Sequence, residues 1–139
     1  MQLEPHILSA MTIFADLRPG EIQKIISIME SVPVIEGETF FSIDNSAETF
    51  FIVASGNYMI HYREGQSIIL NEAGDFIGLD AVLVENRYIC SGIALTQGEL
   101  FAIKKDLFYD FLEREPSLGK KLQLKFLHYT DEKFKLIKP

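Results

Sequence analysis

The chain has 139 residues, enough for one domain with a substantial buried core. Hydrophobic residues make up 47%, but the longest apolar runs are only a few residues, far short of the roughly 20 that span a bilayer. Net charge is −7, split between an acidic body (7 Lys/Arg against 18 Asp/Glu in residues 1–115) and a basic tail (6 against 2 in residues 116–139). An acidic body repels nucleic-acid phosphates. The tail either meets an acidic partner or solvates the outside of a helix. The lone Cys90 excludes an internal disulfide, a four-thiolate zinc site and an iron–sulfur cluster, and its place between Ile89 and Ser91 suits core packing. His6, His61 and His128 lie far apart, with no His-x-x-x-His spacing, so no metal site is expected. No secretory signal pattern opens the chain, which makes the cytoplasm the default compartment and a membrane partner unexpected.

In chain order, Pro5 suits a first helical turn, and Ile7, Leu8 and Met11 recur on one face. Ile13 to Leu17 is a short apolar link. A second helix is predicted from near Pro19, with Glu21 in its first turn and a buried stripe of Ile22, Ile25, Ile26 and Met29; Pro33 should end it. From Val32 the pattern is β. Thr39–Ile43, Thr49–Ala54, Tyr58–Arg63, Ser67–Leu70, Tyr88–Leu95 and Leu100–Lys104 read as short strands between turn signals, with Glu64-Gly65-Gln66 closing a hairpin. Such regular short spacing predicts a sandwich or barrel rather than a parallel sheet.

After Lys104 the period becomes helical. Leu107, Phe108, Phe111 and Leu112 make one stripe before Pro116. A long helix then runs from Ser117 to about Leu136, with Leu118, Leu122, Phe126 and Tyr129 on one side and Leu124, Leu127 and Phe134 towards the other. A surface helix needs one apolar stripe. Two imply either burial on both sides, against the β-body and a second copy of the chain, or a helix clasped more deeply by its own domain.

Gly74 to Leu83 stands apart. Two glycines four residues apart, followed by Leu79, Ala81, Val82 and Leu83, allow a turn that leaves the β-framework and aims several N–H groups at one point, which suits an anion. The same residues also suit a connecting loop that plugs a barrel mouth.

Helices, about eight strands and two further helices, with a Gly-rich turn late in the β-region, resemble the cyclic nucleotide-binding domain, and more closely the sensor domain of Crp/Fnr-type bacterial regulators. The resemblance runs from about Ile13 to the final helix. It rests on Ile13-Phe14-Ala15-Asp16-Leu17, the Gly37 turn, Phe51-Ile52-Val53-Ala54-Ser55-Gly56, Gly74-Asp75-Phe76-Ile77-Gly78, and Phe108 with Leu112 before Pro116. It implies an α+β, mainly β fold: a double-stranded β-helix, or jelly-roll β-roll, over 32–104, with N-terminal helices over 1–31 and C-terminal helices over 105–139.

In that family the turn after the last glycine is a phosphate-binding cassette. A glutamate directly after that glycine holds the ribose hydroxyl, and an arginine followed by a small polar residue pairs with the cyclic phosphate. Here Leu79 stands at the glutamate position, and aligning back from Ala94 puts Tyr88 and Ile89 at the other two; Arg87 is one residue off. Losing a buried charge-assisted pair leaves an anion's desolvation uncompensated. Asp80 would repel a phosphate. The pattern therefore looks more like family members that sense something other than a cyclic nucleotide.

A more apolar pocket is expected, with Gly78, Leu79, Asp80 and Ala81 at the turn, Ile60, Ile68, Tyr88, Phe126 and Tyr129 as lining, and Arg87 as the cation. The resemblance implies a small-molecule effector, a homodimer through Leu124, Leu127 and Phe134, and no cofactor. A free-standing interaction domain with a vestigial pocket is the other reading. No catalytic residues are expected, since a cupin-type enzyme on a similar β-fold needs clustered His and carboxylate ligands that His61 alone does not supply. The family places a helix-turn-helix after the long helix; the chain stops at Pro139, so no DNA contact is expected from these residues.

Overall fold

The computed structural model describes residues 3–79 and 86–134; the side chains of Leu127 and of residues 130–134 are outside the described set. Two helices, α1 (Pro5–Ser9) and α2 (Pro19–Ile26), flank a 3-10 turn at Thr12–Phe14. Eight strands follow: β1 (Met29–Val34), β2 (Thr39–Phe41), β3 (Thr49–Ser55), β4 (Tyr58–Tyr62), β5 (Ser67–Leu70), β6 (Phe76–Ile77), β7 (Cys90–Ala94) and β8 (Gly98–Lys104). Two helices close the chain, α3 (Lys105–Arg114) and α4 (Pro116–Phe134). The strands form two antiparallel four-stranded sheets, ordered β1-β8-β3-β6 and β2-β7-β4-β5. Mainly β with flanking helices, this is the expected jelly-roll.

Several strand ends differ from expectation by one to two residues, and the boundary between α2 and β1 differs in kind. α2 stops at Ile26 and Met29 opens β1, pairing with Ile103, so Met29 is not on the helix's buried stripe. Pro33 does not end a helix. It sits inside β1, opposite Glu99. β1 is an edge strand, where a residue without an N–H costs no ladder bond if that side faces outward. Ser27 is the C-cap: its N–H still reaches the Gln23 carbonyl, and its hydroxyl donates to the Lys24 carbonyl at 2.5 Å.

β3 is the wall between two halves of the core. Phe50, Phe51, Ile52 and Val53 are all buried, as befits a strand covered on both faces. Adjacent residues on a strand point opposite ways. Phe50 faces the helices, meeting Phe108 edge-on with ring centres 5.4 Å apart, while Phe51 meets Phe40 at 5.2 Å on the other side.

α4 docks through the stripe expected for it: Leu118, Leu122 and Phe126 are buried. Its lysines do more than solvate it. Lys125 reaches Asp16 at 2.6 Å and Lys121 lies 3.7 Å from Glu21, so the basic tail meets the acidic N-terminal elements of its own chain. Leu124 on the other side is 61% exposed. No helix among the described residues is long and apolar enough to cross a membrane.

Candidate functional site inside the roll

Gly78 turns the chain out of β6 with φ +80°, a conformation that side chains rarely adopt. A Cβ there would lie 3.3 Å from Cε1 of Tyr88, so the tyrosine ring is packed directly on the glycine. Burial of Leu79 and Tyr88 is nearly complete, each 5% exposed. The two positions that the resemblance sets against the family's glutamate and arginine are thus core residues.

Tyr88 is held at both ends. Its hydroxyl accepts the Thr49 N–H at 3.3 Å and donates to the Thr49 carbonyl, fixing the ring to the start of β3. Burial pushes its pKa up, as expected for a phenol whose charged form would be poorly solvated. The ring packs on Phe41 with centres 4.4 Å apart. Phe41 in turn meets Phe51, and Phe40 meets Phe41, Phe51 and Tyr58, all between 5.2 and 6.1 Å. Five aromatic rings therefore cluster between the sheets.

Ladder register explains how they fit. Phe41 pairs with Gly92, Gly92 with Ile60, and Ile60 with Ile68, making one row across β2, β7, β4 and β5. A Cβ on Gly92 would fall 2.3 Å from Cε1 of Phe41 and 2.8 Å from Cζ of Phe40. The missing side chain makes room for the two rings. The row sets Ile60 and Ile68 in line with Phe41, on which Tyr88 packs, while Phe40, Phe41, Phe51, Tyr58 and Gly92 carry no local sequence signal for this cluster. A bulge in β2, between Thr39 and Phe41, lets adjacent phenylalanines join one cluster, which strict alternation forbids.

Phe126 and Tyr129 do not join this group. They lie across β3, with Phe76, Phe50 and Phe108; Phe126 and Phe76 have ring centres 4.5 Å apart. The Tyr129 hydroxyl donates to Asp75 Oδ1 and accepts the Phe76 N–H, each at 3.0 Å. Burial raises its pKa, and the neighbouring Asp75 carboxylate raises it further.

Arg87 also stays outside the roll. It is exposed, and its Nη1 donates to the Asp44 carbonyl at 2.8 Å. The Asp44 carboxylate pairs with Arg63, whose hydrogen bond holds its pKa below the usual range, helped by the charges of Arg63 and Arg87. Asp80 and Ala81 lie outside the described residues, as do the side chains of Leu127 and Phe134. Among the described residues no group of three or more His, Cys, Asp or Glu is placed to hold a metal ion.

Comparisons with known proteins agree with this architecture. The family model for the cyclic nucleotide-binding domain matches residues 31–115. The chain belongs to that family. A cyclic nucleotide-binding domain from Methylobacillus flagellatus superposes with a TM-score of 0.80 at 18% identity, covering 94% of this chain and 75% of that one. The sensor domain of the transcriptional regulator DNR from Pseudomonas aeruginosa gives 0.71 at 18%, covering 93% and 91%. Catabolite activator protein from Thermus thermophilus gives 0.68 at 22%, covering 90% and 62%. In sequence, the chain is 27% identical over 112 residues to an uncharacterised NTE family protein of Mycobacterium tuberculosis, spanning 80% of this chain and only 19% of that protein. The fold is that of transcriptional-regulator sensor domains.

Proposed function

We propose that this domain is a regulatory, signal-sensing module that does not take cyclic AMP or cyclic GMP in the family's usual way. The observation that carries the reading is Tyr88, whose ring rests on Gly78 and whose hydroxyl is tied to Thr49 where a phosphate-binding arginine would be needed. Leu79 supports it, being buried and unable to hold a ribose hydroxyl. The effector is a small molecule, more apolar than a nucleotide, bound beside Tyr88, Ile60 and Ile68 after some of the rings shift. α4 is the output element and the seam of a homodimer, and the module serves as the effector domain of a Crp/Fnr-type transcriptional regulator. Any response of α4 requires the effector to bind its two arrangements unequally.

A second reading is favoured by the aromatic filling itself: a ligand-free domain that only dimerises. Isothermal titration calorimetry with cyclic AMP and cyclic GMP tests the main claim, for which no heat of binding is expected; micromolar affinity for either refutes it. Thermal stabilisation by a panel of small apolar effectors separates the two readings, because a ligand preferring the native state raises apparent stability.

A further inference from the structure

A concavity lies outside the roll, on the helix side of β3. It is a cleft of about 510 Å³ between three elements far apart in sequence. Thr12 and Ile13 come from the 3-10 turn, Glu72 to Asp75 from the β5–β6 turn, and Lys125, His128 and Tyr129 from α4. Its volume is in the range of small-molecule sites. The walls have opposite chemistry. Asp75, 4% exposed, sets a carboxylate at the β5–β6 turn, with Oδ2 accepting the Glu72 N–H at 3.1 Å and Oδ1 accepting the Tyr129 hydroxyl. Glu72 adds a second negative charge on the same turn. α4 supplies the Lys125 ammonium and the His128 ring. Ile13 and the Tyr129 ring give an apolar surface.

We propose that this cleft binds a small zwitterion of the amino-acid type with an apolar body. Its ammonium faces Glu72 and Asp75, its carboxylate faces Lys125, and its side chain rests on Ile13 and Tyr129. Lys125 already holds Asp16 at 2.6 Å, but the Asp16 side chain is 61% exposed and can return to water when a ligand carboxylate arrives. An ammonium has three donors, so Lys125 can also hold both. Thr12 offers a hydroxyl at the rim. A mixed-sign site suits the charge of the molecule: the acidic body draws in the ammonium end, and only the basic α4 can receive the acid end. Because Tyr129 is both wall and latch, an occupied cleft holds α4 against the β5–β6 turn. The cleft shares no lining residue with the Tyr88 cluster, so its binding test can succeed or fail whether or not the roll takes the effector proposed above.

The test uses the 139-residue protein and L-phenylalanine as probe, with phenethylamine and 3-phenylpropionate as analogues lacking one charged end. Expected is saturable binding of L-phenylalanine with a dissociation constant of about 1 mM or tighter, and each one-ended analogue weaker by roughly tenfold. Amide resonances of Gly74, Asp75 and Lys125 should shift, while those of Tyr88 and Gly92 stay still; the opposite pattern places the ligand in the roll and overturns the proposal. Lys125→Met should weaken L-phenylalanine roughly tenfold and leave phenethylamine unchanged, and Glu72→Gln should weaken L-phenylalanine likewise and leave 3-phenylpropionate unchanged. Asp16→Asn guards against misfolding of the Lys125 variant: by removing the competing carboxylate it should tighten L-phenylalanine binding. No saturation up to about 10 mM, or equal affinity for all three compounds, refutes the assignment.

Discussion

Tyr88 and Thr49 are joined twice, the phenol oxygen accepting the Thr49 N–H at 3.3 Å and donating to its carbonyl. A side chain thus completes the backbone hydrogen bonding of Thr49 at the start of β3. Tyr88→Phe should cost about 1–3 kcal/mol, since buried groups left without partners bear their desolvation penalty. Urea denaturation measures it. A loss below roughly 0.5 kcal/mol would mean that water replaces the hydroxyl.

Gly92→Ala should strain the same cluster from the opposite sheet. Its Cβ would stand 2.3 Å from Phe41, far inside contact distance, so the ring must move. A loss of about 1–3 kcal/mol is expected, as for other overpacked cores. Adding Phe41→Leu should recover part of it. If the double variant is no better than Gly92→Ala alone, the collision is not with Phe41.

Tyr129→Phe removes the hydroxyl that bonds Asp75 and Phe76 and should loosen α4 from the β5–β6 turn. About 1–3 kcal/mol is again the expected cost. Hydrogen exchange distinguishes this latch from general destabilisation: protection should fall first at Phe76 and along α4, and little in β4 or β7.

Leu124 is 61% exposed on the side of α4 away from the core. If that side is the seam of a dimer, Leu124→Glu or Leu127→Glu places a charge in it and should give monomers by light scattering. A wild-type chain that is monomeric at high concentration removes the seam altogether.

Stability should fall at both ends of the pH scale, for different groups. The pKa values of Asp16, Glu21 and Asp44 are depressed in the fold, chiefly by hydrogen bonds from Lys125, from the Arg18 backbone N–H and from Arg63 respectively. Their contribution is present above the ordinary values of 3.8 and 4.5 and is lost as pH falls through the lower folded values. All three pairs are exposed to solvent, so the acid limb should shrink in high salt. Tyr58 behaves oppositely: burial, with the charge of Glu99, raises it from 10.0 to about 12. Its unfolded form ionises first, and stability should decline as pH climbs from 10.0 towards 12. Urea midpoints measured across pH test both limbs.

Most of the fold was legible because apolar spacing reports burial directly. Ile22 and Ile25 in α2, the continuous Phe50–Val53 run and the Leu118–Leu122–Phe126 stripe all read correctly. Pro33 misled because a proline that stops a helix and a proline in an edge strand look alike until the neighbouring strand is known. At the candidate site, the unusual residues at 79 and 88 were visible, but not what they do. Phe40 and Phe41 enter one cluster only because β2 is bulged, and Gly92 makes room only once paired with Phe41. The Lys125–Asp16 pair spans 109 positions, beyond the reach of any local pattern. Phe126 and Tyr129 pack on the helix side of β3 and not in the roll, a choice of face that apolar spacing along a helix does not encode.

The aromatic packing between the sheets has a consequence for chemical rescue. Trimming Tyr88 to alanine would leave a hole bordered by Phe41 and Gly78, with the Thr49 N–H and carbonyl at its polar end. Such a void can accept a small aromatic guest, and a guest with a hydroxyl can also meet the Thr49 groups. Phenol or benzene should then restore part of the lost thermal stability, by mass action and without any designed contact. In such a variant one side chain, Tyr88, would be exchanged for a diffusible guest in the core of the roll.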